Sequence, residues 1–283
     1  MNIFGNPFLL MALWAGLLAS VSSGVIGSYV VVRRISFIAG SVAHSVLGGM
    51  GLCLWLQRIW GLTWAHPMLG AFAAAIGSAV LLGWVHLRFK QREDALIAAI
   101  WSTGMAIGVI FISLTPGSTG ELMNFLFGNI LWVTPLDLLS LLALDVLVLS
   151  FVGIYYRSFL ALCFDEEQAT LQKIPVQRLY FVLLGLVAIS TVLLIQIIGT
   201  ILVLALLTIP ATIGALFTNR LKTMMILSTL FSAGFSVSGL ELSYRLNWPP
   251  GATIALIAAV FYLFVLFLKG KYLIHKKILK VKG

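Results

Sequence analysis

Charge is scarce in this sequence. Asp, Glu, Lys and Arg together make up 10% of its 283 residues, against about a quarter in ordinary soluble domains. So few charged groups cannot coat a folded chain that is 61% hydrophobic, because too little polar surface is left to face water. That shortage excludes a cytosolic enzyme and a disordered protein. Cysteine is nearly absent as well. Cys53 lies in an apolar run and Cys163 beside a charged loop, so no disulfide framework or cysteine-based metal cluster is expected. No basic residue precedes Arg33, and the cationic start of a cleavable secretory signal is lacking. Residues 8–32 are therefore expected to remain as a membrane helix. Reactive motifs are missing too. No G-x-x-x-x-G-K-[ST] is present to cradle ATP phosphates, and no His-Glu-x-x-His to hold a catalytic zinc. The four histidines, His44, His66, His86 and His275, are scattered. Nothing local suggests a Ser/His/Asp set.

What the sequence has is hydrocarbon, with a mean hydropathy of +1.08. In a bilayer each backbone polar group needs an internal partner, so helices are the default, and one span takes about 20 residues. Nine spans fit that ruler: 8–32, 36–57, 66–87, 95–115, 135–156, 178–196, 198–218, 223–243 and 250–268. The break at 195–200 is weak and leaves a re-entrant arrangement open. The fold class is thus an all-α polytopic membrane protein, one membrane domain over 1–283. With the N-terminus outside, 16 of the 18 basic residues fall in inside segments, and only Arg58 and Arg245 lie outside. This bias supports an odd number of spans and a cytoplasmic C-terminus. Two loops are long. The external loop 115–135 is expected to carry a short interfacial helix around 122–131. The cytoplasmic loop 157–178 carries Asp165, Glu166 and Glu167.

Helix faces narrow the search. Ala12, Gly16, Ser20, Gly24 and Ser28 recur every four residues in the first span, and Gly104 and Gly108 repeat the device in the fourth. Such stripes let backbones approach closely, and they mainly mark packing seams. In the second span Gly40, His44 and Gly48 share one face, which puts an imidazole on a surface that should be buried in protein. A neutral imidazole there binds a transition metal or a neighbouring helix. Asp145 falls near the middle of the fifth span. A carboxylate at that depth costs a few kcal/mol, so it faces the bundle interior, as a structural acceptor or as part of an ion route. Glu241, in the last outer turn of the eighth span, suits cation capture or a surface role. Glu121 and Asp137 are expected to be solvated. Pro210 in the seventh span removes a helix hydrogen bond and is expected to kink it; broken helices near the midplane can mark transport sites.

Two blocks carry a family resemblance: Arg33-Arg34-Ile35-Ser36-Phe37-Ile38-Ala39-Gly40-Ser41-Val42-Ala43-His44-Ser45 with Gly48-Gly49-Met50-Gly51-Leu52, and Ile198-Gly199-Thr200-Ile201-Leu202-Val203 through Leu206-Leu207-Thr208-Ile209-Pro210-Ala211, then Leu242-Ser243-Tyr244 and Pro249-Pro250-Gly251-Ala252-Thr253-Ile254. Over essentially its whole length the chain resembles the membrane permeases of ABC importers for zinc, manganese and iron. The resemblance implies a permease in the cytoplasmic (inner) membrane of a bacterium. It implies a second permease copy or paralogue, a cytosolic ABC ATPase that binds ATP, and an extracytoplasmic metal-binding protein. No cofactor is held permanently; the divalent metal is cargo. No nucleic acid is involved. Phe164-Asp165-Glu166-Glu167-Gln168-Ala169 resembles the family's coupling segment, which makes Asp165, Glu166 and Ala169 the expected seat of the ATPase. His44 carries over as a ligand on the translocation path, with Asp145 and Glu241 as carboxylates that could share it, and Pro210 as a gating kink. Three positions depart from the pattern. Gly40 stands where many members have an aspartate, Asn247 where an acid often precedes Pro-Pro-Gly, and Lys173 near where a glycine usually follows the coupling alanine.

Neutral imidazole suits zinc and iron, whereas manganese favours oxygen; so few ligands do not choose among them. An ion-coupled secondary transporter is the first alternative, although it would call for more intramembrane charge. A membrane-embedded enzyme using Asp145 and His44, or a non-transporting scaffold subunit, are further ones.

Overall fold

A computed structural model describes residues 7–89, 93–117, 119–128, 130–164 and 166–282. Asp165, Lys90 and Arg92 lie outside the described residues. Among the described residues eleven α-helices follow in chain order: α1 Pro7–Val32, α2 Ser36–Ile59, α3 Pro67–Phe89, α4 Glu93–Ser113, α5 Thr119–Phe127, α6 Pro135–Phe164, α7 Glu166–Leu171, α8 Val176–Ile198, α9 Thr200–Phe217, α10 Leu221–Leu246 and α11 Pro250–Lys282. A 3-10 turn at Ile130–Trp132 follows α5. Among the described residues, nine helices are long and apolar enough to cross a membrane, all but α5 and α7.

Several helix ends are written locally. At α6, the Thr134 backbone N–H and Oγ1–H both donate to Asp137 Oδ2, at 2.9 and 2.7 Å. The Asp137 N–H donates back to Thr134 Oγ1. This is a reciprocal capping box, with the acid in the first turn. α6 then runs beyond the expected end at 156, past a non-helical Tyr155 (φ −99°, ψ 15°), to Phe164. The weak break resolves into two separate helices divided at Gly199, whose φ is 81°. Gly199 and Gly128 (φ 73°) lie so close that a Cβ on either would run into the other's backbone. Glycine is needed there for both conformation and clearance.

Two helices organise the packing. α1 is buried against α10, α9 and α6, while α2 lies between α3 and α4. α1 and α2, though consecutive, barely touch. α8 joins the groups by packing on α3, α6, α2 and α1. The α1 stripe is a seam with α10: Ser20 and Ser236 hydroxyls meet at 3.3 Å, as do those of Ser23 and Ser232. The opposite extreme is α4, α6 and α11, whose spans present most of their apolar side chains outward, Ile110, Leu136, Ile154 and Leu263 among them. Such faces suit lipid, where exposed hydrocarbon carries no penalty.

Candidate functional site

His44 sits on α2 where that helix meets α4, with only 9% of its surface exposed. Its ring stacks on Trp101 of α4, centroids 4.3 Å apart and planes 26° from parallel. The Nδ1 atom is buried and has no hydrogen-bond partner among the described residues. Small residues produce this arrangement. A Cβ on Gly40 would lie 2.8 Å from the Trp101 ring, and one on Gly48 2.8 Å from the Gly104 carbonyl oxygen. Ser41 Oγ donates to the Ile97 carbonyl of α4 at 3.1 Å, pinning the two helices one turn from His44. The glycine face is therefore buried, as its spacing implies. The place a side chain at position 40 would take is filled by Trp101.

Asp145 lies on the α1–α6 interface and is 4% exposed. Its Oδ1 accepts the Ser22 backbone N–H at 3.1 Å. Its Oδ2 is buried without a partner among the described residues. One oxygen thus clamps α6 to α1, and the other is left available inside the bundle. Glu241 is half-exposed on α10 and pairs with Arg245 one turn later. That partner already neutralises it, which weakens it as a cation trap. Pro210 is buried in α9, and the helix continues through it. The structure does not gather His44, Asp145 and Glu241. Among the described residues no group of three His, Cys, Asp or Glu side chains is placed to hold a metal ion.

A cavity of about 580 Å³ opens among α2, α3, α5 and α8. Its wall includes Val46 and Met50, further along α2 from His44, with Gln57, His66, Met68, Asn124 and Gln196. These polar groups are neutral amides and an imidazole; Arg58 stands at the lining with its Nη1 donating to the Pro116 carbonyl at 3.1 Å. Sequence reading missed this chamber. The signal was Gln57 and Gln196, amides inside otherwise apolar runs, but only folding shows that they face one space.

At the other end of the helices, α7 covers the expected coupling segment. Ala169 is buried, while Glu167, Gln168, Thr170 and Leu171 point outward. Lys173 adopts a left-handed φ of 59°. The Ile174 N–H donates to the Ala169 carbonyl and the Lys173 N–H to that of Thr170, both at 3.0 Å. This is the backbone turn that usually recruits glycine after a helix. Lys173 therefore takes the left-handed position after the helix that glycine usually takes. Asn247, at φ 55°, closes α10 in the same left-handed way, so its place is a helix cap.

Residues 6–269 match the ABC 3 transport family. The chain is 48% identical over 264 residues to a probable metal transport system membrane protein of Chlamydia pneumoniae, covering 93% of this chain and 90% of that one. It is 33% identical over 261 residues to a manganese transport system membrane protein, MntC, of Listeria innocua, covering 92% and 90%. Among solved structures, PsaBC from Streptococcus pneumoniae in complex with Fab superposes with a TM-score of 0.80 at 30% identity, covering 93% of this chain and 92% of that one.

Proposed function

From the premise that this chain belongs to the ABC 3 transport family, we propose that it passes a divalent transition metal ion inward across the cytoplasmic membrane of a bacterium. It is a membrane permease of an ABC metal transport system, a transport subunit rather than an enzyme. Such a permease works with an ATPase and a binding protein. Manganese is the first cargo to test, because the Listeria relative carries that ion in its name.

On this reading the N-terminus is outside, and the whole of 1–283 acts as one permease domain. The contacts support that sidedness. Arg33 pairs with Glu166 of α7, Lys222 lies over the Tyr156 ring, and Lys269 donates to the Leu216 carbonyl; all belong to the basic, inside-facing ends. The binding protein docks on the opposite side, over α5 and the Arg245–Pro250 turn. The cation enters by the amide-lined chamber and passes His44. The ATPase seats on loop 157–178, against the outward edge of α7. A second permease chain, a copy or a paralogue, completes the path, since the described residues of one chain gather no set of three metal-ligating side chains. Sparse ligands fit transport, which needs release as much as capture.

The observation that carries the path is the buried, unpartnered Nδ1 of His44 on a glycine-cleared face. The test is manganese uptake into liposomes holding this chain, its ATPase and its binding protein. Uptake is expected only with ATP and all three parts. Full-rate uptake by this chain alone, driven by an ion gradient, would replace the reading with a secondary transporter.

A further inference from the structure

One basic side chain joins more elements than any role so far requires. Arg33 closes α1 and is mostly buried, its side chain 12% exposed. Nη1 donates to the Leu162 carbonyl in the last turn of α6 at 2.8 Å. Nη2 pairs with the Glu166 carboxylate at the start of α7. The guanidinium plane lies over the Tyr180 ring of α8, 5.4 Å from its centre. On Tyr180 in turn stacks His86 of α3, with centroids 4.8 Å apart. The fork of donors and the flat cation are what guanidinium offers and an ammonium does not. Within three residues the backbone turns, through Arg34 at φ 58° and an Ile35 N–H to Val30 carbonyl bond of 2.9 Å, into the helix that carries His44.

α7 is a single short turn of helix whose outward edge is exposed. It packs on α6 and α8 and buries Ala169, and this ion pair ties it to the end of α1. A displacement of α7 therefore reaches the α1–α2 elbow through Glu166 and Arg33. It reaches α8 and α3 through Tyr180 and His86. Packed elements of this kind move between discrete arrangements and do not bend continuously.

We propose that Arg33 is a positioning residue that relays movement of α7 to the α1–α2 elbow and so ties ATP hydrolysis on a partner to the state of the His44 path. The proposal rests on the reading that α7 is the ATPase seat. A static clamp would hold the fold and leave the stoichiometry of transport alone. A relay sets how much metal moves per ATP.

The experiment uses the full transporter in liposomes and reads three quantities: ATPase bound, ATP hydrolysed and metal taken up. In Arg33→Gln the ATPase stays bound and hydrolysis continues, while metal moved per ATP falls about tenfold, the scale of a coupling between two sites. Glu166→Gln, which removes the charge paired with Arg33 at the edge of the ATPase seat, lowers the ratio per bound ATPase in the same direction. The exchanged pair Arg33→Glu with Glu166→Arg recovers part of it. An unchanged ratio in both single variants, with the ATPase bound, overturns the relay and leaves the docking reading standing. Folded Arg33→Gln that has lost the ATPase also overturns it, because Arg33 would then be part of the dock. Retention of the ATPase by a chain lacking 166–171 overturns the docking reading itself, and is seen before any ratio is measured.

Discussion

At the scale of the residue, His44 and Trp101 explain each other. An imidazole buried without a partner for Nδ1 is left short of a hydrogen bond, and such omissions in a fold point to a ligand or a moving part. The Trp101 ring covers one face of it. That ring is admitted only because position 40 is glycine. Trp101 therefore fills the space that a side chain at position 40 would take, and no hole is left there. His44→Ala is expected to lower metal uptake about tenfold, the lower end of what loss of a metal-site group brings, while the ATPase still copurifies. Wild-type uptake would take His44 off the path. Asp145 reads differently, since one of its oxygens holds the α1 backbone. Asp145→Asn keeps an acceptor for the Ser22 N–H and removes only the charge. If the carboxylate lies on the ion route, uptake falls in that variant with expression unchanged; normal uptake makes Asp145 a structural clamp.

At the scale of the element, the helix ends are where local sequence and tertiary demand can be compared. Lys173 holds a left-handed conformation that costs a non-glycine residue about 1–2 kcal/mol, partly offset by the freedom glycine would lose on folding. Lys173→Gly is expected to tighten the end of α7 by about 0.5–1 kcal/mol, read as slower hydrogen exchange of the Ile174 amide. Exchange that is unchanged or faster would mean that Lys173 has a stabilising contact offsetting its strain. The small-residue stripe of α1 was visible as periodicity, but its partner was not. Periodicity marks a face; which helix covers it depends on the approach of residues two hundred positions away, such as Ser232 and Ser236 of α10. Likewise the Tyr155 break in α6 comes two residues after Gly153, a glycine that does not stand out within its apolar run, whereas Pro210, expected to kink its helix, sits inside an α9 that runs on through it.

At the scale of the whole molecule, two packed groups meet across α8, and the chain's first two helices belong to different ones. Motion of one group against the other is what an alternating gate needs. Arg33 stands at their junction. The charge distribution sets which side faces the ATPase. A tag at the C-terminus is expected to react with an impermeant label only after the membrane is opened. Labelling of intact cells would reverse the orientation, and the predicted docking sides with it.

The sequence alone determined the number of the spans and most of their limits to within a few residues, the sidedness expectation and the buried face of His44, while the expected coupling segment came from the likeness to the ABC metal permeases. The spans, the sidedness and the buried face follow from hydropathy, charge or spacing within one stretch of chain. Tertiary structure alone decided that Trp101 fills the place beside Gly40, that Asp145 and Glu241 lie apart from His44, that amides from three helices share a chamber, and that Arg33 binds three elements at once. Those outcomes depend on contacts between distant residues, above all on close backbone approaches such as Gly49 to Gly70 and Gly27 to Leu207. A missing side chain permits such an approach, and no local pattern names the partner.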